Sequence, residues 1–260
     1  MTRPASHWQR GLQHFNGVLF LPSSGTDGAG KGLGTAWTTD TAAVGITIAH
    51  ATPGTAIDTQ MKRTTYTNVA GTADQELGPR LSAATDKQFW FGNAAGLGGF
   101  YFSAIFRVET WNSDGGRLFV GLSNSANPVC ISDTVPNHTI GLWHDSTDGA
   151  NVLSIVTKAA TGTTKDAITG ATLAAGQAFL WEMWAFPFGI SVINTQCRLT
   201  SINTGQKIQF NSIGGGPTTA TMLAPQCQMS NGADTTVSHY SISVANIYCA
   251  PYSQTLDGTG

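Results

Sequence analysis

The stretch "FYFSAIFRVE", residues 100–109, decides the fold of this chain, because apolar and polar side chains alternate along most of it. Phe100, Phe102 and Phe106 fall on one face, whereas Arg107 falls on the other. Successive side chains of a β-strand point to opposite faces of a sheet, so a period of two predicts a strand with one buried face. A second apolar layer must cover those aromatic residues, which favours a protein built of two packed sheets.

The alternating pattern recurs through the rest of the chain from about residue 60 onward. Further predicted strands lie at 117–123, 139–145, 152–158, 179–186, 189–202, 207–210 and 237–249. Clusters of Gly, Asn and Asp separate them, and these residues tolerate the backbone conformations of tight turns. No segment carries a sustained helical stripe of apolar side chains. We therefore predict an all-β protein, an antiparallel β-sandwich of the jelly-roll, concanavalin-like type.

The beginning of the chain differs in composition from the rest. It is rich in Gly, Thr and Ala, and its only apolar runs are the short stretches "GVLFL" and "VGITIA". We expect residues 1–56 to form an irregular N-terminal arm or attachment segment. Residues 57–252 then form the sandwich, and residues 253–260 form a C-terminal tail.

The composition argues against nucleic-acid binding and membrane insertion. Charged residues make up 11% of the chain and the formal net charge is -2, whereas a typical soluble domain has about 25% charged residues. No basic stripe is available to neutralise phosphates. The N-terminus lacks an apolar signal segment, and the longest apolar run, "AFLWEMWAFPF", contains Glu182 and Pro187. We expect a soluble, unsecreted protein.

The four cysteines are far apart and show no metal-binding spacing. They are Cys130, Cys197, Cys227 and Cys249. No C-x-x-C pair occurs, and no histidine stands at a distance that suits zinc. A protein made in the cytosol is expected to keep such thiols reduced, so we predict buried free thiols and no metal site.

A glycine-rich stretch near the N-terminus comes close to a nucleotide-binding loop. Gly25, Gly30 and Lys31 in "GTDGAGKG" match the G-x-x-x-x-G-K frame, but Gly32 stands where a Ser or Thr would bind Mg²⁺. The residues that follow, "LGTAWTTD", are a poor helix start, whereas a phosphate loop opens a helix. We interpret the stretch as a flexible loop and expect no cofactor.

The run "LWHDSTDG", residues 142–149, groups residue types that bind sugars or calcium. Trp143 could stack on a sugar beside His144 and Asp145, and Asp145 with Asp148 could contribute to a Ca²⁺ site. The alternative is a hairpin turn in which Asp145 is the first-position hydrogen-bonding residue. The turn is favoured, because Ca²⁺ needs about six oxygen ligands or more and the run supplies few.

A pair of acidic residues would be needed for glycoside hydrolysis. Glu182 lies in the middle of the predicted strand 179–186 and could act together with Asp145. The alternative is a structural carboxylate that forms hydrogen bonds across an interface. This strand is apolar on both faces, which indicates that the arm or a neighbouring subunit covers it. We expect a protein without catalytic activity.

Several segments together carry a resemblance to a known family. They are "FWFGNAAGLGGFYFSAIFRVE", "GRLFVGLSNSANP", "IGLWHDSTDGANVLSIVTK", "TSINTG" and "MSNGADTTVSHYSISVANIYC", within residues of about 60 to 250. In order and spacing they resemble the lectin-like jelly-roll modules of bacteriophage virion proteins, which occur in tail fibres, receptor-binding proteins and other surface appendages. The family has no shared catalytic motif, and the resemblance gives Arg107 a structural role only.

The resemblance implies a structural protein of a bacteriophage particle that is made in the cytoplasm of the bacterial host and acts in the virion. Its role would be host adhesion through a receptor, or capsid decoration, as a homotrimer attached to other virion proteins through residues 1–56. In the adhesion role, exposed Trp111 and Trp143, with His144 and Asp145, would bind host surface glycans. The alternatives on the same fold are a carbohydrate-active enzyme, such as a glycosidase, and an isolated carbohydrate-binding module.

Overall fold

The computed structural model describes most of the chain from residue 18 to residue 251. The described residues are 18–22, 31–33, 37–39, 46–51, 53–68, 72–81, 87–90, 92, 98–112, 115–149, 151–186, 194–211, 216–218, 220–232 and 240–251. The strands are β1 (Val18–Leu21), β2 (Lys31–Leu33), β3 (Trp37–Thr39), β4 (Thr47–Ala51), β5 (Arg63–Thr67), β6 (Glu76–Leu77), β7 (Pro79–Leu81), β8 (Phe100–Thr110), β9 (Arg117–Ser123), β10 (Thr139–His144), β11 (Val152–Lys158), β12 (Thr163–Thr172), β13 (Ala178–Phe186), β14 (Asn194–Ser201), β15 (Lys207–Asn211), β16 (Ala224–Ser230) and β17 (Ser241–Pro251). Two short 3-10 turns cover Ile57–Thr59 and Val129–Ile131.

These strands form two antiparallel sheets that pack face to face, which confirms the predicted sandwich. The front sheet has the order β15-β14-β13-β8-β17-β1-β2, and β5 and β4 continue from β17. The back sheet has the order β12-β11-β10-β9-β16-β7-β3, with β6 also paired to β16. β17 is long enough to pair with β5 near its start and with β1 near its end. No helix in the described part of the chain is long and apolar enough to cross a membrane.

The core lies between the inner faces of the two sheets. The predicted alternation in β8 is confirmed, since Phe100, Phe102 and Phe106 are buried and Arg107 is half-buried. Trp181 of β13 lies in the same cluster. Full burial of one such side chain stabilises a protein by roughly 1.5–3 kcal/mol, so the aromatic inner face of the front sheet contributes much of the cohesion.

The strands within residues 1–56 pair with the rest of the sandwich. β1 pairs with β17, β3 pairs with β7 and β4 pairs with β5. Val18, Phe20 and Trp37 are buried in the common core, and the Trp37 Nε1–H donates to the Leu19 carbonyl at 3.1 Å. The reason is that even short stretches such as "VLFL" alternate and can bury one face. The domain boundaries at residues 56 and 252 stay a prediction, but the described strands of this segment belong to the two sheets.

Ion pairs link the 3-10 turn Ile57–Thr59 and the first residue of β5 to β8. The Arg107 Nε–H donates to Asp58 Oδ2 at 2.9 Å, and the Arg63 Nε–H donates to Glu109 Oε1 at 3.1 Å. Arg107 also pairs with Glu109. These contacts agree with the structural role that the resemblance gave to Arg107.

All four cysteines are free and buried, as predicted. Lys31 begins strand β2, so a strand and not a helix follows the glycine-rich stretch, whereas a phosphate loop requires a helix. Gly25 and Gly30 lie outside the described residues.

Candidate functional site

Trp143, the predicted sugar-stacking residue, is fully buried. The prediction that its side chain is exposed is therefore wrong. Its side chain lies on the outer face of the back sheet, but the 3-10 turn Val129–Ile131 and the residues after it cover that face. Together they form a second small core. Its members are Phe119, Val129, Cys130, Val135, Trp143 and Val156. The indole is not open to a sugar, because it has no exposed surface, Phe119 packs against its ring and the Lys165 ammonium lies over it.

Asp145 organises the turn between β10 and β11, as the favoured interpretation predicted. Its Oδ1 accepts a hydrogen bond from the Thr147 amide at 2.8 Å, and its carbonyl accepts one from the Asp148 amide at 3.2 Å. Its Oδ2 accepts a hydrogen bond from the Trp143 Nε1–H at 2.9 Å. Asp145 is itself fully buried, contrary to the exposed position expected for a ligand-binding residue.

A lysine ammonium lies between Asp145 and Asp148, the two aspartates considered, and not favoured, as calcium ligands. Lys165 Nζ donates to Asp148 Oδ1 at 2.9 Å and also to Asp145 Oδ2. Burial alone would raise the pKa of Asp145, but hydrogen bonds from Lys165, Thr147 and Trp143 lower it to about 2. Among the described residues, no group of three or more His, Cys, Asp or Glu side chains is arranged to hold a metal ion.

His144 and Trp111 pack together at one end of the sandwich. The His144 Nδ1–H donates to the Val152 carbonyl at 2.7 Å, and burial lowers the pKa of this imidazole. The Trp111 ring meets His144 at 5.0 Å and Tyr240 at 5.8 Å, edge to face in both cases. The Trp111 Nε1–H donates to Asn151 Oδ1 at 2.8 Å. His144 is fully buried and Trp111 is half-buried, so both stabilise this end of the fold.

Glu182 and Asp145 belong to different sheets, so the structure does not bring together the acid pair considered for hydrolysis. Glu182 projects from β13 on the outer face of the front sheet, where Arg198 pairs with it. Asp145 follows β10 of the back sheet, where Lys165 pairs with it. Each carboxylate therefore has its own basic partner.

The outer face of the front sheet carries a cluster of partly exposed aromatic side chains, which we call the aromatic face. It consists of Tyr101 on β8, Trp184 and Glu182 on β13, Arg198 on β14 and Tyr248 on β17. The alternation of each strand places these residues opposite the core, because their neighbours in sequence lie in the main core cluster.

The strand register sets the spacing of the three aromatic rings. Trp184 is directly opposite Tyr101, and their ring centroids are 5.5 Å apart. Tyr248 is opposite Ser103, two residues after Tyr101 along β8, and its ring centroid is 6.0 Å from that of Tyr101. Cross-strand neighbours on one sheet face are close enough for such contacts. The rings thus form a continuous row across three strands.

A charged pair, Glu182 and Arg198, lies beside this row and orients the Tyr101 and Trp184 side chains. The Arg198 Nε–H donates to Glu182 Oε2 at 2.7 Å, and the Tyr101 hydroxyl donates to Oε1 at 3.1 Å. The Arg198 guanidinium also lies over the Trp184 ring at 5.2 Å. Burial, helped by Glu182, raises the pKa of Tyr101 to about 12, so its hydroxyl remains a donor.

The arrangement provides stacking surfaces and hydrogen-bonding groups side by side. The Glu182 side chain is only 7% exposed, whereas that of Arg198 is 35% exposed, so the guanidinium can donate outward while its carboxylate partner holds it in place. The sequence interpretation considered Glu182 but missed the other four residues. The available signal was an aromatic residue at an outward strand position, as at Tyr101 and Trp184.

Solved structures that resemble this chain are lectin-like β-sandwiches. Arcelin-5, a lectin-like defence protein from Phaseolus vulgaris, is 8% identical with a TM-score of 0.52, over 92% of this chain and 99% of that chain. Peanut lectin in complex with a nine-residue peptide is 10% identical with a TM-score of 0.51, over 92% of this chain and 100% of that chain. The PL-14 alginate lyase of Aplysia kurodai is 7% identical with a TM-score of 0.49, over 79% of this chain and 87% of that chain.

No family model matches the chain, and no curated protein sequence matches it either. At such low identities the likeness shows the fold alone. The chain therefore has an antiparallel β-sandwich fold of the lectin-like, concanavalin-like type.

Proposed function

We propose that the protein binds carbohydrate without catalysing a reaction, and that the aromatic face is the binding surface. The observation that carries this proposal is the row of three partly exposed rings, Tyr101, Trp184 and Tyr248, around the Glu182–Arg198 pair. The fold similarity to lectins supports the same ligand class.

The chemistry of the face fits an extended glycan. Sugar rings present apolar C–H faces that stack on aromatic rings, and aromatic side chains offer large apolar area at a small cost in entropy. Sugar hydroxyls are neutral donors and acceptors, which match the outward N–H groups of Arg198 and the hydroxyl of Tyr248. A row of rings across three neighbouring strands can contact several sugar units in succession.

The two acidic residues support binding without hydrolysis. A glycosidase needs two carboxyl groups about 5 to 9.5 Å apart in one cleft. Here Glu182 is paired with Arg198 in the front sheet, and Asp145 is paired with Lys165 in the back sheet. Both carboxylates are engaged in structural ion pairs.

We further infer that the protein acts at the surface of a bacteriophage particle, in host adhesion or capsid decoration. The sequence resemblance of the strand segments to virion modules supports this role. A homotrimer attached to other virion proteins through residues 1–56 would present several copies of the aromatic face, so that weak single contacts add up.

Light scattering on the purified protein tests the trimer and should give about three times the chain mass of 27.2 kDa. A monomeric mass would contradict the trimer.

A glycan array tests the binding proposal. The wild-type chain should retain one or more glycans, with bacterial surface oligosaccharides included on the array, and mass spectrometry should find the bound glycans intact. Trp184→Ala should weaken retention about tenfold or more, a loss of about 1.4 kcal/mol, because the largest of the three stacking rings is removed. Trp184→Phe, which keeps a ring, should retain most of the binding.

A matched control comes from the same strand. Leu180 also lies on the outer face of β13 but supplies no ring, so Leu180→Ala should bind nearly as well as the wild type. No retained glycan on a broad array, or equal loss in Leu180→Ala and Trp184→Ala, would contradict the proposal. Cleaved glycans would contradict its non-enzymatic part.

A further inference from the structure

We propose that the open edge between the two sheets is a second binding site, for a single small neutral polyhydroxy ligand such as one pyranose ring. A cavity of about 180 Å³ lies there, between β12 at the edge of the back sheet and β13, β14 and β15 at the edge of the front sheet. Its lining residues are Gly170, Ala171, Thr172, Gln177, Phe179, Leu199, Ser201, Thr204, Gln206 and Ile208.

A glycine keeps this cavity open. Gly170 has a φ of +90°, a backbone conformation that residues with a Cβ adopt at a cost. A Cβ at this position would approach the Gln206 Nε2 to 3.2 Å and the Ile208 Cδ1 to 3.8 Å. The space between β12 and the turn before β15 therefore depends on the absence of a side chain at residue 170.

The lining has the mixed chemistry that a sugar ring requires. None of the lining residues is charged. Phe179, Leu199 and Ile208 form an apolar wall, while Gln177 and Gln206 bring amide groups that can both donate and accept. In the described part of the chain, neither amide group is engaged by a protein hydrogen bond, so both are available to a ligand.

The absence of charge among the lining residues selects against ionised ligands. A carboxylate taken out of water without a partner is strongly destabilised, whereas hydroxyl groups can exchange their water hydrogen bonds for those of the amides. The volume limits the size of the ligand as well. Pockets for drug-sized molecules measure roughly 300 Å³ or more, so this cavity holds about one ring and not a chain.

This site is independent of the aromatic face. Phe179 and Leu199 point into the space between the sheets, whereas Glu182 and Arg198 on the same two strands point away from it. The two surfaces thus lie on opposite faces of β13 and β14. A variant at one surface should leave ligand binding at the other unchanged.

Backbone amide NMR titrations of the full chain test the proposal. The probes are methyl β-D-glucopyranoside, methyl β-D-galactopyranoside, methyl α-D-mannopyranoside and the charged methyl β-D-glucuronide. We expect saturable shifts at residues 170–172 and 201–206 with at least one neutral probe. Probe concentrations up to about 50 mM are sufficient, because they saturate a site with a millimolar dissociation constant. The glucuronide, which carries a carboxylate, should bind about tenfold more weakly than the glucoside or not at all.

Two threonines on β12 provide a matched pair of variants. Thr172 lines the cavity and Thr169 is exposed outside it. Thr172→Ala and Gln206→Ala should each weaken binding of the neutral probe severalfold, whereas Thr169→Ala and Trp184→Ala should not. The proposal is overturned if no neutral probe shifts the lining residues, if the glucuronide binds as tightly as the glucoside, or if Thr169→Ala weakens binding as much as Thr172→Ala.

Discussion

At the scale of single residues, several ionisable side chains stabilise the folded structure. Asp145 accepts hydrogen bonds from Trp143, Thr147 and Lys165, which together compensate for its complete burial. A buried carboxylate without these donors would be strongly destabilising. The same logic applies to Glu182, whose two oxygens accept from Tyr101 and Arg198.

The Asp145 network predicts how stability depends on acidity. The folded-state pKa of Asp145 is lowered to about 2, so its contribution is present above the unfolded-state pKa and is lost as the pH falls toward the folded-state pKa. The stability lost in Asp145→Asn should be about 2 kcal/mol at a pH of about 5 and about half of that at a pH of about 3. Urea unfolding of both proteins measures the difference. A loss that does not change with pH would contradict the assignment.

The role of Asp145 was predictable from the sequence, whereas the burial of Trp143 was not. An aspartate followed by Ser-Thr-Asp-Gly forms a turn through local hydrogen bonds. All the residues that form this turn are adjacent in the sequence. Trp143 is buried by residues 129–135, and nothing local to β10 reveals that a segment from elsewhere folds over it. For the same reason the row of Tyr101, Trp184 and Tyr248 escaped prediction, since it depends on the order of strands.

At the scale of elements, periodicity located strands whose two faces differ in polarity. β8 has a long alternating run and lies where the pattern placed it, and β13, predicted as a strand that is apolar on both faces, also lies at its predicted position. β16 was not predicted, although Gln226, Cys227, Gln228 and Met229 alternate between polar and apolar. Gln226 and Gln228 lie on its outward face and are fully buried in the structure, which their polarity does not indicate.

A pair of glycines sets the approach of the two central strands of the back sheet. Gly121 of β9 is directly opposite Gly141 of β10. A Cβ at Gly121 would come within 2.2 Å of the Ile140 carbonyl oxygen, and backbone cannot move aside as a flexible side chain can. Gly121→Ala should therefore destabilise the protein by about 3 kcal/mol through forced separation of the strands.

A second glycine provides the control for that substitution. Gly149 has a φ of +83° but open space where a Cβ would lie. Gly149→Ala should cost only about 1–2 kcal/mol, the penalty for a left-handed backbone conformation. Thermal or urea unfolding of both variants measures the contrast. Equal losses in the two variants would show that the strands tolerate the added methyl group.

At the scale of the whole molecule, the sandwich depends on pairings between distant parts of the chain. β8 pairs with β17, and β1 from the N-terminal segment also pairs with β17. The sequence predicts two layers, because many strands have one apolar face, but it does not determine which strands are neighbours. That order positions the aromatic face and the cavity between the sheet edges, so both become visible only in three dimensions.

The buried cysteines report on the integrity of both sheets. Cys197 and Cys249 lie in the front sheet and Cys227 in the back sheet, while Cys130 lies within the 3-10 turn Val129–Ile131. Burial raises the pKa of all four thiols, which keeps them protonated and unreactive. A thiol reagent should label none of them in the native protein and all four in urea. Rapid labelling of any thiol without denaturant would contradict the packing described for its sheet.

The most direct test of the central claim is an NMR titration that follows the indole N–H signals of the seven tryptophans. The ligand is the glycan that the array selects, and Trp184→Phe assigns the Trp184 signal by its disappearance. Saturable binding should shift the Trp184 signal and leave those of the buried Trp143 and Trp181 in place. Saturable binding that leaves the Trp184 signal unchanged would contradict the claim that the aromatic face is the carbohydrate-binding surface.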